Sequence, residues 1–248
     1  MAIEITNVGI KGPKGDTGPS GAPLQSYSGV PVKLITPATT FTGITVSDNG
    51  AGKVLLTGAG PHGLTAADAI GANIFIVTAS AGWVGLAIHK IISLDADGTG
   101  NKIGIDLAFA SQAAPIMALG NIVINYILAT IAPLGPNSII KADALVSLKN
   151  SANPKSLSYR TLALKMSEVN NLINMSSYRY QARIHMRGTN QSQIGLADNM
   201  AGGFGPSTTN PVVSAFDFSV NRNFALALGM YSCEPMTIES YLVEVYNL

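Results

Sequence analysis

The chain has 248 residues, of which 47% are hydrophobic and only 12% charged, with a net charge of +1. Charged residues usually make up about a quarter of a globular domain, so much of this surface is expected to be covered by partner chains rather than by water. The near-zero net charge argues against bulk attraction to nucleic acid or an anionic membrane, and the single cysteine, Cys233, excludes intrachain disulfides and zinc–thiolate clusters and fits a protein made in a reducing cytoplasm.

The first eight residues, MAIEITNV, set Ile3, Ile5 and Val8 against Glu4, Thr6 and Asn7. No basic stretch leads into an apolar one, so they do not read as a signal peptide. A peptide this short does not fold alone. Ile3, Ile5 and Val8 are expected to anchor it in a groove or on a sheet edge of another protein.

Residues 9–23 read GIK-GPK-GDT-GPS-GAP, with glycine at every third position: Gly9, Gly12, Gly15, Gly18 and Gly21. That is the period of the collagen triple helix, in which only glycine fits at the crowded axis. Lys14 and Asp16 flank Gly15, placed for an ion pair between neighbouring strands. A triple helix needs three parallel chains in register, so the run predicts a homotrimer. At about 3.1 Å per residue it makes a rod of roughly 45 Å, too short to persist without a trimeric domain beside it.

Residues 24–35 leave the triplet phase and read as a linker. From 36 to 112, the short apolar runs FTGITV, KVLLTG, NIFIV, WVGLAIHKIISL and KIGIDLAF are separated by SDNGAG, TASAG and DADGTGN. Such punctuation predicts a small all-β module, with a helical turn at Ala66 to Ile70. The uncharged stretches 69–88 and 107–140 are long enough to cross a bilayer. They are broken by Gly71, Asn73, Pro115, Asn121, Pro133 and Pro136, so strands and turns are expected and membrane insertion is not.

From 113 to 248 the strands lengthen: NIVINYILATI, SIIKADALVSL, SLSYRTLALKM, SYRYQARIHMR, VVSAFDFSV, NFALALGMYS and MTIESYLVEVYNL. Tyr178, Tyr180, Ala182, Ile184 and Met186 alternate with Arg179, Gln181, Arg183, His185 and Arg187, the pattern of a strand with one buried and one polar face. Phe224, Leu226, Leu228 and Met230 alternate with Ala225, Ala227 and Gly229, a small-residue face suited to close approach of two sheets or subunits. The predicted fold is all-β and homotrimeric: a short collagen-like triple helix, a small β module, and a jelly-roll-like β-sandwich as trimerisation head.

Candidate chemistry is sparse. Asp95 and Asp97, followed by Gly98, resemble the start of a calcium loop, but the twelfth position is Asp106 where a bidentate glutamate is needed. A hairpin turn explains the same residues, so Asp95 and Asp97 are only weak metal candidates. His62, His89 and His185 are too scattered for a zinc site. With no nucleophile elbow and no phosphate loop, neither catalysis nor a cofactor is expected. Arg179, Arg183 and Arg187 form a candidate ligand face for an anionic polysaccharide or for acids of another subunit. Phe204, in the Gly-rich loop 199–211, is a candidate contact tip.

The stretch IAPLGPNSIIKADALVSLKNSANPKSLSYRTLAL, together with the closing TIESYLVEVYNL, resembles a β-sandwich domain common in structural proteins of tailed bacteriophages. The matching residues are Leu134, Gly135, Pro136, Asn137, Asn150, Ser151, Ala152, Asn153, Lys155, Leu157, Ile238, Glu239, Ser240, Tyr241 and Glu244; the chain departs at Ser138, where the family often has glycine. GAGPHGLTAADAI is similar to a turn in small β modules of phage appendages. Collagen-like segments also recur in phage fibres between an attachment tip and a trimeric head. The resemblance implies a trimeric virion appendage made in the bacterial cytoplasm, bound through its N-terminus to a capsid or tail protein. A capsid fibre is favoured over a tail-attached receptor-binding fibre, and both over a polysaccharide depolymerase. Weak adhesion to host surface polysaccharide is a further expectation.

Overall fold

The computed structural model describes residues 23–76, 87–109, 122–161, 165–197 and 212–247. They form an all-β protein whose one helix among the described residues is α1 (Ala66–Ala69). In chain order the strands are β1 (Gln25–Gly29), β2 (Val32–Leu34), β3 (Thr45–Asp48), β4 (Lys53–Thr57), β5 (Asn73–Ile76), β6 (Ala87–Leu94), β7 (Lys102–Ala108) and β8 (Ile122–Ile131). They continue with β9 (Ile139–Leu148), β10 (Ser156–Thr161), β11 (Lys165–Val169), β12 (Ser177–Met186), β13 (Gln193–Ala197), β14 (Val212–Ser214), β15 (Arg222–Met230) and β16 (Met236–Tyr246).

Two sheets enclose the larger core. One is the β14-β13-β12-β9-β16 part of a 12-stranded sheet, with β1 and β2 side by side along β16 and β2 leading on to β5-β6-β7-β4-β3; the other is β11-β10-β15-β8. The chain passes from one sheet to the other between β8 and β9, β9 and β10, β11 and β12, β14 and β15, and β15 and β16. Alternation sets which side chains lie between the sheets. Ile140, Ala142, Ala144, Val146 and Leu148 of β9 point inward beside Tyr180, Ala182, Ile184 and Met186 of β12, in antiparallel register with Ala144 opposite Tyr180 and Ile140 opposite Ile184. The alanines leave room for aromatic rings. Tyr159, from the opposite sheet, stacks on Tyr180 with centroids 4.5 Å apart and lies 5.5 Å from Phe224. Each tyrosine hydroxyl is satisfied, Tyr159 donating to the Tyr180 carbonyl at 2.9 Å and Tyr180 bonding Ser167 Oγ at 2.7 Å. Burying the rings therefore adds hydrophobic stabilisation without stranding a polar atom.

In β16 the apolar pattern changes phase at Glu239, where a bulge between Ile238 and Ser240 lets both Ile238 and Tyr241 face the core. The Tyr241 ring lies directly over Gly29, where any Cβ would collide with it. Gly195 of β13 has the same reason for being glycine, since a Cβ there would strike the Met166 carbonyl.

A second core gathers Ile35, Phe41, Val54, Leu56, Leu64, Ile74, Ile76, Ile91, Ile103 and Ile105, from β4 to β7 and the loops around them. It is joined to the first where Leu34 of β2 meets Asn73 of β5, with Asn73 Nδ2 donating to the Lys33 carbonyl at 2.9 Å.

Several expectations are corrected. Residues 24–35 are not a linker: they hold β1 and β2, whose paired partner β16 lies more than two hundred residues away. Their Gly-Val-Pro interruption hides the alternation. SLSYRTLALKM is not one strand but spans β10 and the start of β11, which pair antiparallel. Of VVSAFDFSV only Val212–Ser214 is strand, and β13 was not anticipated because QIGLA is short and glycine-interrupted. By contrast, the small residues of β15 do share one side, with Ala225 and Ala227 on the side away from Phe224, Leu226 and Leu228, flanked on one side by Ile127 and Asn125 and on the other by Arg160 and Ser158.

Candidate interaction surface

The outward face of β12, β9 and β16 collects the polar residues that alternation sends away from the core. Cross-strand pairing arranges them in rows. Leu145 stands between Ser240 and Arg179, Asp143 between Leu242 and Gln181, Lys141 between Glu244 and Arg183, and Ile139 between Tyr246 and His185. Asp143 organises the centre. Arg179 Nε donates to both its oxygens at 3.1 Å, Arg179 Nη2 adds a third bond, and Gln181 Nε2 donates at 3.0 Å. This bidentate bond raises the Arg179 pKa further and fixes the plane of the guanidinium. Lys141 Nζ sits 4.2 Å from the centroid of the Tyr246 ring, and Tyr246 donates to Glu244 at 2.9 Å. Burial and then the Arg183 charge hold the His185 pKa below its ordinary value. A shallow depression of about 340 Å³ lies among Asp143, Leu145, Arg179, Ser240 and Leu242. The arrangement offers fixed hydrogen-bond donors beside the exposed side chains of Leu145 and Leu242. That is contact chemistry.

Of the three arginines read as one face, Arg179 and Arg183 lie on it. Arg187 follows the last residue of β12, and its amide donates to the Ser192 carbonyl at 2.9 Å in the turn toward β13. Phe204 lies outside the described residues, as do Ile3, Ile5, Val8, Lys14, Asp16 and the glycines Gly9, Gly12, Gly15, Gly18 and Gly21.

Asp95 and Asp97 are engaged as turn residues. Asp95 Oδ1 accepts from the amides of Ala96 and Lys102, at 3.0 and 3.2 Å, and Oδ2 from Asn101 at 3.0 Å. Partial burial pushes the carboxyl up, but these amides together outweigh it and hold the pKa low. Asp97 Oδ1 accepts from the Ala66 amide at 2.7 Å. Among the described residues no group of three or more His, Cys, Asp or Glu is placed to hold a metal ion. His62 is buried, accepting the Leu64 amide at Nδ1 and facing Asp95 Oδ1 across 3.3 Å from Nε2. It ties the Pro-His-Gly turn to the Asp95 turn. His89 lies 3.9 Å from Asp106, and burial keeps its pKa low.

One constellation escaped the residue reading. Lys155 is fully buried, and its ammonium meets Ser151 Oγ at 2.8 Å, the Asn153 carbonyl at 3.0 Å and Glu234 Oε2 at 3.1 Å. Glu234 also accepts from Asn153 Nδ2 at 2.7 Å and Ser151 Oγ at 3.0 Å. Burial raises the Glu234 pKa, but the bonds from Asn153, Lys155 and Ser151 outweigh it and leave it low. Ser151, Asn153 and Lys155 belong to the segment quoted for the phage resemblance. The signal in the sequence was a lysine after Asn-Pro at the head of an apolar strand. Ser138, the point of departure, is buried and bonds Asn247 at 2.9 Å, tying the LGPN turn to the last described residue.

No protein-family model and no curated protein matches the chain.

Proposed function

We propose that the chain is a non-enzymatic subunit of a trimeric bacteriophage virion appendage, with an N-terminal anchor, a collagen-like stalk and a jelly-roll-like head. The observation that carries this reading is the way the glycine run leads into the sandwich. The last triplet glycine is Gly21, and three residues later the Leu24 amide already donates to the Val245 carbonyl at 2.7 Å. A three-chain stalk would thus feed directly into three sandwiches, with no long tether to decouple them. The two-sheet order of the head, with chain crossings between layers, supports a jelly roll. The low charged fraction supports a surface shared among copies. Among the described residues no helix is long and apolar enough to cross a membrane.

The role is attachment to the particle and display of the head, with weak adhesion to host-surface polysaccharide multiplied over many copies. Light scattering of the full chain should give three times the subunit mass. Labelled-antibody microscopy of intact particles should place the protein on the capsid; label at the tail tip would assign it to a tail fibre instead, and absence of label from particles would end the reading. Release of reducing sugar from host polysaccharide would replace it with an enzymatic one.

A further inference from the structure

We propose that the sandwich carries two unlike contact patches that dock head to tail around a three-fold axis. The β1–β8 edge of one copy, bearing Val123 and Ile127, seats on the outer β9–β16 face of the next, bearing Leu145 and Leu242. The proposal rests on the trimeric reading above and assigns its surfaces.

Chain reach places the edge. Between Gly21 and Leu24 the backbone advances at most about 10 Å, so each copy of β1 must start close to the axis of a triple helix ending at Gly21. The β8 strand comes with it, because Tyr27 of β1 donates to the Thr130 carbonyl at 2.9 Å and the Ala132 amide donates to Gln25 Oε1 at 2.9 Å. The edge nearest the stalk is therefore the one shared by β1 and β8.

Symmetry then requires a second patch. A three-fold ring is not built from one self-complementary surface; each interface joins two different surfaces of neighbouring copies. The exposed large apolar residues fit that demand. Val123 and Ile127, 46% and 40% exposed, stand on the outer side of the smaller sheet next to this edge, while Leu145 and Leu242, 44% and 40% exposed, stand on the outer side of the larger one. The smaller sheet also carries an incomplete polar set. Asn125, between Val123 and Ile127, has its Oδ1 shielded from water with no hydrogen-bond partner among the described residues, and so does Nε of the nearby Arg160. Such atoms normally find a donor or acceptor, but this chain itself already covers both, so the docking rests on the exposed Val123 and Ile127. On the receiving face Arg179 is already bonded to Asp143 and Lys141 already covers the Tyr246 ring, so docking there does not strand these two cations.

The test uses full-length chain in a Cys233→Ser background with single Ile127→Cys, Leu145→Cys and Val213→Cys variants, the last marking the exposed β14 strand at the opposite end of the larger sheet. Maleimide labelling should be about tenfold slower at 127 and 145 than at 213. The double variant Ile127→Cys/Leu145→Cys should oxidise to covalent oligomers up to the trimer, which neither single variant forms. These side chains leave opposite faces of one sandwich, whose sheets lie about 10 Å apart, so a bond between them joins two copies. A wild-type trimer that labels equally fast at all three positions, or that cross-links through Ile127→Cys alone, overturns the docking while leaving the trimer standing. A wild-type monomer overturns the trimeric reading itself, and the docking with it.

Discussion

Two of the sandwich's cation–carboxylate pairs have similar chemistry in opposite surroundings. Lys155 is fully buried against Glu234, itself 7% exposed, and every donor of the ammonium has an acceptor among Ser151, Asn153 and Glu234. Arg179 pairs with Asp143 through more hydrogen bonds, yet its side chain is 61% exposed. Burial multiplies the consequence of losing a partner, because an abandoned charge inside the protein has no water to turn to. On the surface the same loss is absorbed by solvent. The first pair therefore belongs to folding, and the second is available for contact.

The largest expected effect comes from breaking the inner pair. Lys155→Met leaves the Glu234 carboxylate buried without its cation and should destabilise the fold by about 3–5 kcal/mol, read as a shift in the urea unfolding midpoint. A Lys155→Met/Glu234→Leu double variant should recover much of that loss, since neither charge remains. Asp95→Ala tests an intermediate case, a partly exposed carboxylate that serves backbone amides and buried His62. It should cost about 2–3 kcal/mol, the scale of leaving such donors unsatisfied, and should loosen the 58–66 and 95–102 turns in hydrogen exchange.

Acid titration sharpens the comparison further. Glu234 is held below its ordinary value of 4.5 in the folded chain, so at the same pH the unfolded state binds more protons. Its contribution is fully present above the unfolded value and is lost as pH falls through the folded one. Below pH 4.5 the wild type should lose stability more steeply than Glu234→Gln, measured by urea unfolding at successive pH values. Parallel curves would show that the inner carboxylate does not titrate with folding.

Strand alternation made much of this fold legible. SIIKADALVSL and SYRYQARIHMR each display their buried and outward sets without help from the structure, and Arg179 and Arg183 were placed on an outward face by parity alone. Three features were not legible, each for a physical reason. Strands β1 and β2 depend on β16, so no local pattern announces them. Lys155 reads as a surface residue because burial of a lysine is set by acceptors brought from Glu234 and from its own turn. The bulge at Glu239 likewise shifts the phase of TIESYLVEV, so strict alternation misplaces one end of β16.

The smallest predicted effect is also the sharpest probe of the outer pair. Arg179→Ala should leave the urea unfolding midpoint almost unchanged, because solvent absorbs the loss of an exposed pair. A double-mutant cycle with Asp143→Ala should give a coupling of the same small size that fades with added salt, since the screening length is about 10 Å at 0.1 M and shortens further above it. The Lys155–Glu234 coupling, shielded from ions, should hardly respond. If Arg179→Ala instead matched Lys155→Met in cost, or if its coupling ignored salt, the two pairs would occupy the same kind of environment. Water would then be absent from the β9–β12 face in the chain as it exists in solution. The same cycle run over a range of protein concentrations separates those cases, because only a face covered by a neighbouring copy would gain coupling energy as the concentration rises.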